Sequence, residues 1–444
     1  MVASGACGDD EDGGGGSASC SPQEGTGCVA GQVCEEVEGG EPACFAPVVV
    51  EGRVFDLGSD AGIAGARVVA RDENQSSISP VAKTDASGAY RLQVPAKRDA
   101  AGNPISRAFT LRADAQGYQG FPKPPRVALP LDVKDAAGPT EKILKTPTTD
   151  VGLVALASTS GLGTISGTVE ADLPGGTLVV AGGATGVADN DGTFTVFNVP
   201  AGAQQVAGYK QGLNLTPATA TVTAGQEALG VVLAKSGDAV ASVSGNVQIV
   251  NANGAASTSV ILVLEDTFEP TLARGEAPPG LRAGNVSGGF SISGVPDGRY
   301  VVLAAFENDK LVRDPDTSIG GTEIQQVTVM GQNVAIAEGF KVTGALAVVS
   351  PGAEGIEAVS GTPTFRWEDD SSEDEYRVQV FDALGNQVWE TTGNFDPGGS
   401  APAETTYGGP ALSPGMIYQF RATSIKGGTP ISSTEDLLGV FIAQ

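Results

Sequence analysis

The sequence predicts an all-β protein built from a repeated strand unit, and three observations carry that expectation. From residue 47 onward, short alternating apolar and polar stretches are punctuated by Gly, Pro and Asp, which is the spacing of strands and turns. One unit of such strands recurs three times. No stretch carries the 3.6-residue apolar period of an amphipathic helix. At roughly 100 to 150 residues per domain, a chain of 444 residues accommodates three or four such units.

The unit opens on a strand with a central glycine: Val50-Glu51-Gly52-Arg53-Val54, Ile165-Ser166-Gly167-Thr168-Val169 and Val243-Ser244-Gly245-Asn246-Val247. A polar turn then leads into an aromatic strand. In the first copy Thr84-Asp85-Ala86-Ser87-Gly88 precedes Tyr90 and Leu92. In the second, Asp189-Asn190-Asp191-Gly192 precedes Phe194 and Val196; in the third, Asn285 to Gly289 precedes Phe290 and Ile292. Asp and Asn bond their own backbone and Gly supplies positive φ, so each segment predicts a tight hairpin. The aromatic and aliphatic residues, two apart, point to one face and so to a core. Copies two and three continue with Val199-Pro200-Ala201-Gly202 and Val295-Pro296-Asp297-Gly298, where Pro fixes the first corner of a turn. Both end on a strand and turn, Thr221 to Gln226 and Val327 to Gln332.

These residues resemble the carboxypeptidase regulatory-like domain, close kin of Cna B-type and starch-binding-like sandwiches. Gly65-Ala66-Arg67-Val68 and Ala115-Gln116-Gly117-Tyr118 extend the likeness in copy one. Copy two lacks the Gly-Ala-x-Val strand, and copy three carries an insert around Glu269 to Gly280. The resemblance implies seven-stranded prealbumin-like sandwiches and no peptidase activity, because in carboxypeptidases this module is accessory. Cna B-type domains often carry a Lys-Asn isopeptide bond from the first strand, but Arg53, Thr168 and Asn246 follow the strand glycines here, so none is expected.

The last hundred residues follow another pattern. Phe365 and Trp367, the strand Tyr376 to Phe381, a Gly385-Asn386 turn and Tyr418-Gln419-Phe420-Arg421-Ala422 resemble a fibronectin type III-like or immunoglobulin-like sandwich with Trp367 in its core. The expected order is a disordered acidic tether (1–19), a disulfide-rich knot (20–46), three regulatory-like domains (47–157, 158–236 and 237–345) and the terminal sandwich (346–444).

The N-terminal segment bears on location. Residues 1 to 52 hold ten carboxylates and no Lys or Arg, as a solvated tether would. Met1 to Cys7 resembles the end of a bacterial lipoprotein signal peptide, which implies Cys7 as the lipidation site. The basic and apolar regions of such a signal are missing, so the native start is expected further upstream. Cys20, Cys28, Cys34 and Cys44 lie within 25 residues and predict two disulfides, with three pairings open. A four-thiolate zinc site is the rival reading, although the spacings lack a C-x2-C knuckle. No apolar run is long enough to span a membrane, so attachment is expected through a lipid only.

Composition narrows the chemistry. With no histidine, triads with a His base and His metal ligands are excluded. A net charge of −26 argues against nucleic acid, whose phosphates need clustered Lys and Arg. No P-loop or Gly-x-Ser-x-Gly elbow occurs, so no enzyme and no cofactor are expected. Asp189 and Asp191 offer the first ligands of a calcium loop without its closing Glu, and a plain hairpin turn is the competing reading. The run Glu368 to Glu375 reads as a solvated loop. Tyr118, Phe121 and Trp389 are the candidate ligand contacts, since sugar platforms use exposed aromatics. The expected protein is an exported, monomeric, non-catalytic lipoprotein of the outer membrane or cell surface, displaying sandwiches to a surface protein or polysaccharide. A carbohydrate-binding module string and a scaffold component of an envelope complex are the alternatives.

Overall fold

A computed structural model describes residues 20–22, 25–249, 257–269, 275–304, 311–313, 325–344, 346–369, 373–395 and 401–444. Cys7 and the expected tether lie outside the described residues, as do parts of the Glu269–Gly280 insert and of the Glu368–Glu375 run. Among the described residues the regular elements are strands and three single 3-10 turns, Val133–Asp135, Pro147–Thr149 and Glu265–Thr267. The fold class is therefore all-β, in several packed sheets.

Four apolar cores organise these sheets. The first sandwich sets a sheet around Val48–Asp56 and Ala89–Val94 against one around Arg67–Arg71 and Ala108–Asp114. The second has seven strands in sheets of three and four. The third repeats the arrangement, with Ala241–Ile249 and Gly289–Val295 opposite Thr258–Leu264 and Gly298–Ala304. The fourth packs the sheet of Thr364–Trp367 on a larger one that contains Glu375–Asp382 and Ile417–Lys426. In each of the first three, the opening strand pairs antiparallel with the aromatic strand and parallel with strands from the end of the unit.

That pairing explains the recurring glycine. The cross-strand partner of Gly52 is Tyr90, of Gly167 Phe194, and of Gly245 Phe290. In each copy the ring covers the glycine that faces it, and a Cβ on Gly167 would lie 2.7 Å from the Phe194 ring. The same Cβ would lie 2.0 Å from the carbonyl oxygen of Val231, and one on Gly52 would lie 2.0 Å from that of Thr149. The glycine is thus a requirement for close backbone approach, and the aromatic fills the space left by its missing side chain. The hairpin corners differ. Gly88 and Gly192 take φ of 83° and 84°, whereas in the third copy the left-handed residue is Asn285 at 55°, within the strand Arg282–Val286 that leads into the turn, a conformation Asn tolerates.

The knot is part of this folded body. Cys20 bonds Cys34 and Cys28 bonds Cys44, so one of the three pairings is selected. Val33–Glu35 and Ala43–Phe45 form its two-stranded sheet. Glu35 of the knot and Arg98 of the first sandwich form an ion pair with side chains only 4% and 2% exposed. Main-chain bonds run beside it, from Arg98 N to Glu36 O at 2.8 Å and from Glu38 N to Arg98 O at 2.8 Å. Burial raises the pKa of Glu35, and the hydrogen bond from Arg98 works in the opposite direction.

Gly167→Ala is expected to destabilise the second sandwich by about 2 kcal/mol, the usual scale of overpacking a tight core. Calorimetry on the full chain checks this: one transition should move to lower temperature while the others stay in place. An unchanged thermogram would remove the close-approach explanation.

Candidate functional site

The strand Arg67–Arg71 has the sequence RVVAR, and period two sends Val68 and Ala70 into the first core. Arg67, Val69 and Arg71 then lie on the outer face, where solvent would be expected. All five residues are nonetheless buried. The neighbouring strand Ala108–Asp114 adds Arg112 and Asp114 to the same outer face, with Arg67 paired to Asp114 and Val69 to Arg112. Residues of the second and third sandwiches cover this face, so three units converge on it.

The contacts are specific. Arg67 Nη2 donates to the carbonyls of Val187 at 3.1 Å and Thr193 at 3.4 Å. Arg112 donates to Asp114 at 2.6 Å, to Thr185 Oγ1 at 2.8 Å and to Glu276 of the third sandwich at 2.9 Å. Arg71 forms a second ion pair with Glu276. The Arg71 and Arg112 side chains are 7% and 5% exposed, while Glu276 keeps 24%. Val69, Val81 and Val187 form a small apolar cluster beside the charges. Burial disfavours the Arg112 charge, but Asp114 and Glu276 outweigh it and hold its pKa above the usual arginine value. Burial likewise opposes the Glu276 carboxylate, and Arg112 with Arg71 holds its pKa below the usual range.

A second ionic contact lies alongside. Arg282 of the third sandwich reaches Asp72 Oδ2 at 3.4 Å and Glu73 at 3.1 Å. Asp72 also accepts from Asn74 N and Ser76 N at 3.0 and 2.9 Å, and Ser76 Oγ donates across the junction to Ala277 O at 3.1 Å. Burial and the neighbouring Glu73 push the Asp72 carboxyl up to about 6. The acceptors facing these guanidinium groups belong to the protein itself. Chemically the arrangement is a clamp.

Asn198 joins the first two sandwiches at the other end. It takes φ of 59° and its amide bridges the Ala115–Tyr118 turn, donating to Ala115 O and Tyr118 O at 3.1 and 2.9 Å. Gly117 N donates back to it at 2.8 Å.

The residues singled out from sequence fall as follows. Phe121 is buried in the first core, with the Arg126 guanidinium 4.8 Å from its ring centroid. It presents no open face and is a packing residue, which corrects its candidacy as a ligand contact. Tyr118 is half-buried against the same core and hydrogen-bonded to Asp56; burial, then Asp56, raises its pKa. Trp389 packs on Tyr407 and Phe365, at centroid distances of 5.1 and 6.1 Å. Trp367 is fully buried. Asp191 Oδ1 accepts from Thr193 N and Oγ1 at 2.8 and 2.7 Å, and Asp189 Oδ1 accepts from Val81 N at 3.1 Å. These bonds close the hairpin and tie it to the first sandwich. The sulfurs of Cys20, Cys28 and Cys44 lie close together, but as disulfides they offer no thiolate to a metal.

The arginine junction was not singled out in the sequence. Its signal was present: two arginines at the ends of a five-residue strand, where a solvent-facing sheet seldom needs charge of one sign only. Glu276, which completes it, sits in the insert of the third copy.

The class these sheets and cores define is a disulfide-capped protein of tandem β-sandwiches. No protein-family model matches the chain, and no curated protein matches it either. Solved structures that align with it include the Bacillus anthracis TIE protein, at 10% identity over 89% of this chain and 73% of that one, with a TM-score of 0.15. The streptococcal ancillary pilin aligns at 11% identity over 66% and 98%, with a TM-score of 0.18. BcpA, the major pilin subunit of Bacillus cereus, aligns at 10% identity over 67% and 99%, with a TM-score of 0.17. Likeness at these scores carries no argument about function.

Asp72 provides a pH test of the junction. Its folded pKa of about 6 lies above the ~3.9 of a free Asp, so the folded protein holds this proton more tightly than the unfolded chain. The stability this contributes is complete below about pH 4 and is lost as pH rises through about 6, to a total of roughly 3 kcal/mol. The groups facing Asp72 are Glu73, Arg282 and Arg71. Asp72→Asn keeps an acceptor for Asn74 N and Ser76 N and is expected to lose that slope. Urea unfolding of both proteins from pH 4 to 8 is the measurement; parallel stability curves would contradict it.

Proposed function

We propose that the chain is an exported, non-catalytic surface protein of a bacterial envelope, whose four sandwiches display loops and edges to a protein or polysaccharide partner. The observation that carries this reading is the pair of disulfides Cys20–Cys34 and Cys28–Cys44. Such bonds persist in oxidising compartments. The buried Glu35–Arg98 pair docks the knot on the first sandwich, so the disulfides belong to the working body of the protein. A chain with no histidine and a net charge of −26 suits display better than acid–base chemistry or phosphate binding. Within the same proposal the first three sandwiches are carboxypeptidase regulatory-like and the fourth fibronectin III-like. Cys7 is the lipidation site, the location is the outer membrane, and the protein works as a monomer.

Protease shaving of intact native cells tests the reading. Peptides from this chain are expected in the supernatant while a cytoplasmic marker stays whole. Protection on intact cells, with ready digestion in a lysate, would overturn surface exposure. Labelled palmitate should enter the native protein and be absent from Cys7→Ala; labelling that persists would place the anchor elsewhere.

A further inference from the structure

The chain leaves the first sandwich, passes through the second and third, and returns to the first with its fourth. The contact that closes this circuit is built on residues 121–129. Arg126 Nη2 donates to Leu384 O at 2.6 Å and to Gly152 O at 2.8 Å, and its Nε donates to Asn386 Oδ1 at 3.2 Å. Leu129 is 1% exposed and packs with Phe381, Ala383, Ile417 and Val440 of the fourth sandwich, in a cluster distinct from either sandwich's main core. The backbones touch as well. Val127 N donates to Gly385 O at 3.2 Å, and a Cβ on Gly385 would lie 2.1 Å from Val127 O.

This circuit has a mechanical consequence. A pull applied through the segment before Cys20 and through the segment that carries Gln444 has two routes. One follows the peptide chain through the second and third sandwiches. The other crosses from the first sandwich, which holds the knot, straight to the fourth, which holds the strand Val440–Ala443. The direct route is the shorter, so its non-covalent contact carries the load first. It is also weaker than the units it joins. Its cluster has five buried apolar residues, against 14 in the fourth core, and contacts with fewer buried groups open at lower free energy. Once it opens, load passes along the chain to the next contact that folds the molecule back on itself, Glu276 with Arg71 and Arg112 together with Arg282 on Asp72 and Glu73.

We propose that these two contacts are serial mechanical latches. Under tension the Arg126–Leu129 contact opens first and the Glu276 contact second, releasing the second and third sandwiches as stored length while each stays folded. For a protein held at one end this would lengthen the tether under load and shorten it again at rest. The inference adds to the surface reading without depending on it, because it is tested on the purified chain.

The experiment is single-molecule force spectroscopy on the full chain, with handles at both ends. Two short, reversible steps are expected before any step the length of an unfolded sandwich, on the order of 30 nm for about 100 residues at ~3.3 Å each. The double variant Arg126→Ala with Leu129→Ser should lose the first short step, and Glu276→Ala combined with Arg282→Ala, which removes both ionic contacts between the first and third sandwiches, should lose the second. The later unfolding steps in the same traces show whether each sandwich is still folded in the variants. A wild-type chain that goes straight to unfolding steps would overturn the proposal. So would variants that keep both short steps.

Discussion

A guanidinium group taken out of water loses hydration worth several kcal/mol, and a protein recovers that only where acceptors with good geometry, above all a carboxylate, face it. Arg71 and Arg112 lie on the outer face of the first sandwich's sheet and are both buried, so their burial depends on Glu276 arriving from the third sandwich. Without that carboxylate the two side chains would repel one another and turn back to water. With it, the outer face of one sandwich becomes an inner face of the assembly. This compensation, together with the Arg282 contact to Asp72 and Glu73, holds the third sandwich against the first.

The internal build of each repeat depends on a different constraint. A strand glycine and an opposing ring that fills the vacant side-chain space form one packing device, and in the first two copies the glycine also admits a carbonyl oxygen. It appears as Gly52 with Tyr90, Gly167 with Phe194 and Gly245 with Phe290. Either half alone would be unfavourable, since glycine weakens a strand and an aromatic ring has no room against a larger neighbour. The repeat recurs because the pair works as a unit.

Charge is distributed accordingly. Arg67, Arg71, Arg98 and Arg112 are buried at contacts between units, so they are withdrawn from the 26 cationic residues that would otherwise offset surface acids. Their partners Glu35 and Asp72 are buried with them, so the acidic excess of the chain is set by its 52 Asp and Glu against 26 Lys and Arg.

Much of the fold was legible in the sequence, because strand period, turn chemistry and the glycine–aromatic repeat are local. Tyr90, Phe194, Phe290 and Trp367 could be assigned to cores from their neighbours alone. Phe121 could not, because its burial comes from Arg126 and from backbone distant in sequence. The arginine junction was illegible for the same reason: alternation says which face a side chain takes, but not whether another unit covers that face. The sequence by itself determined the class of element, the corners and the inward residues, since those follow from backbone stereochemistry and period. Only the tertiary structure decided the disulfide pairing, the docking of knot and sandwiches, and the return of the fourth sandwich to the first. Those depend on partners such as Arg71 and Glu276, 205 residues apart, whose meeting no local pattern encodes.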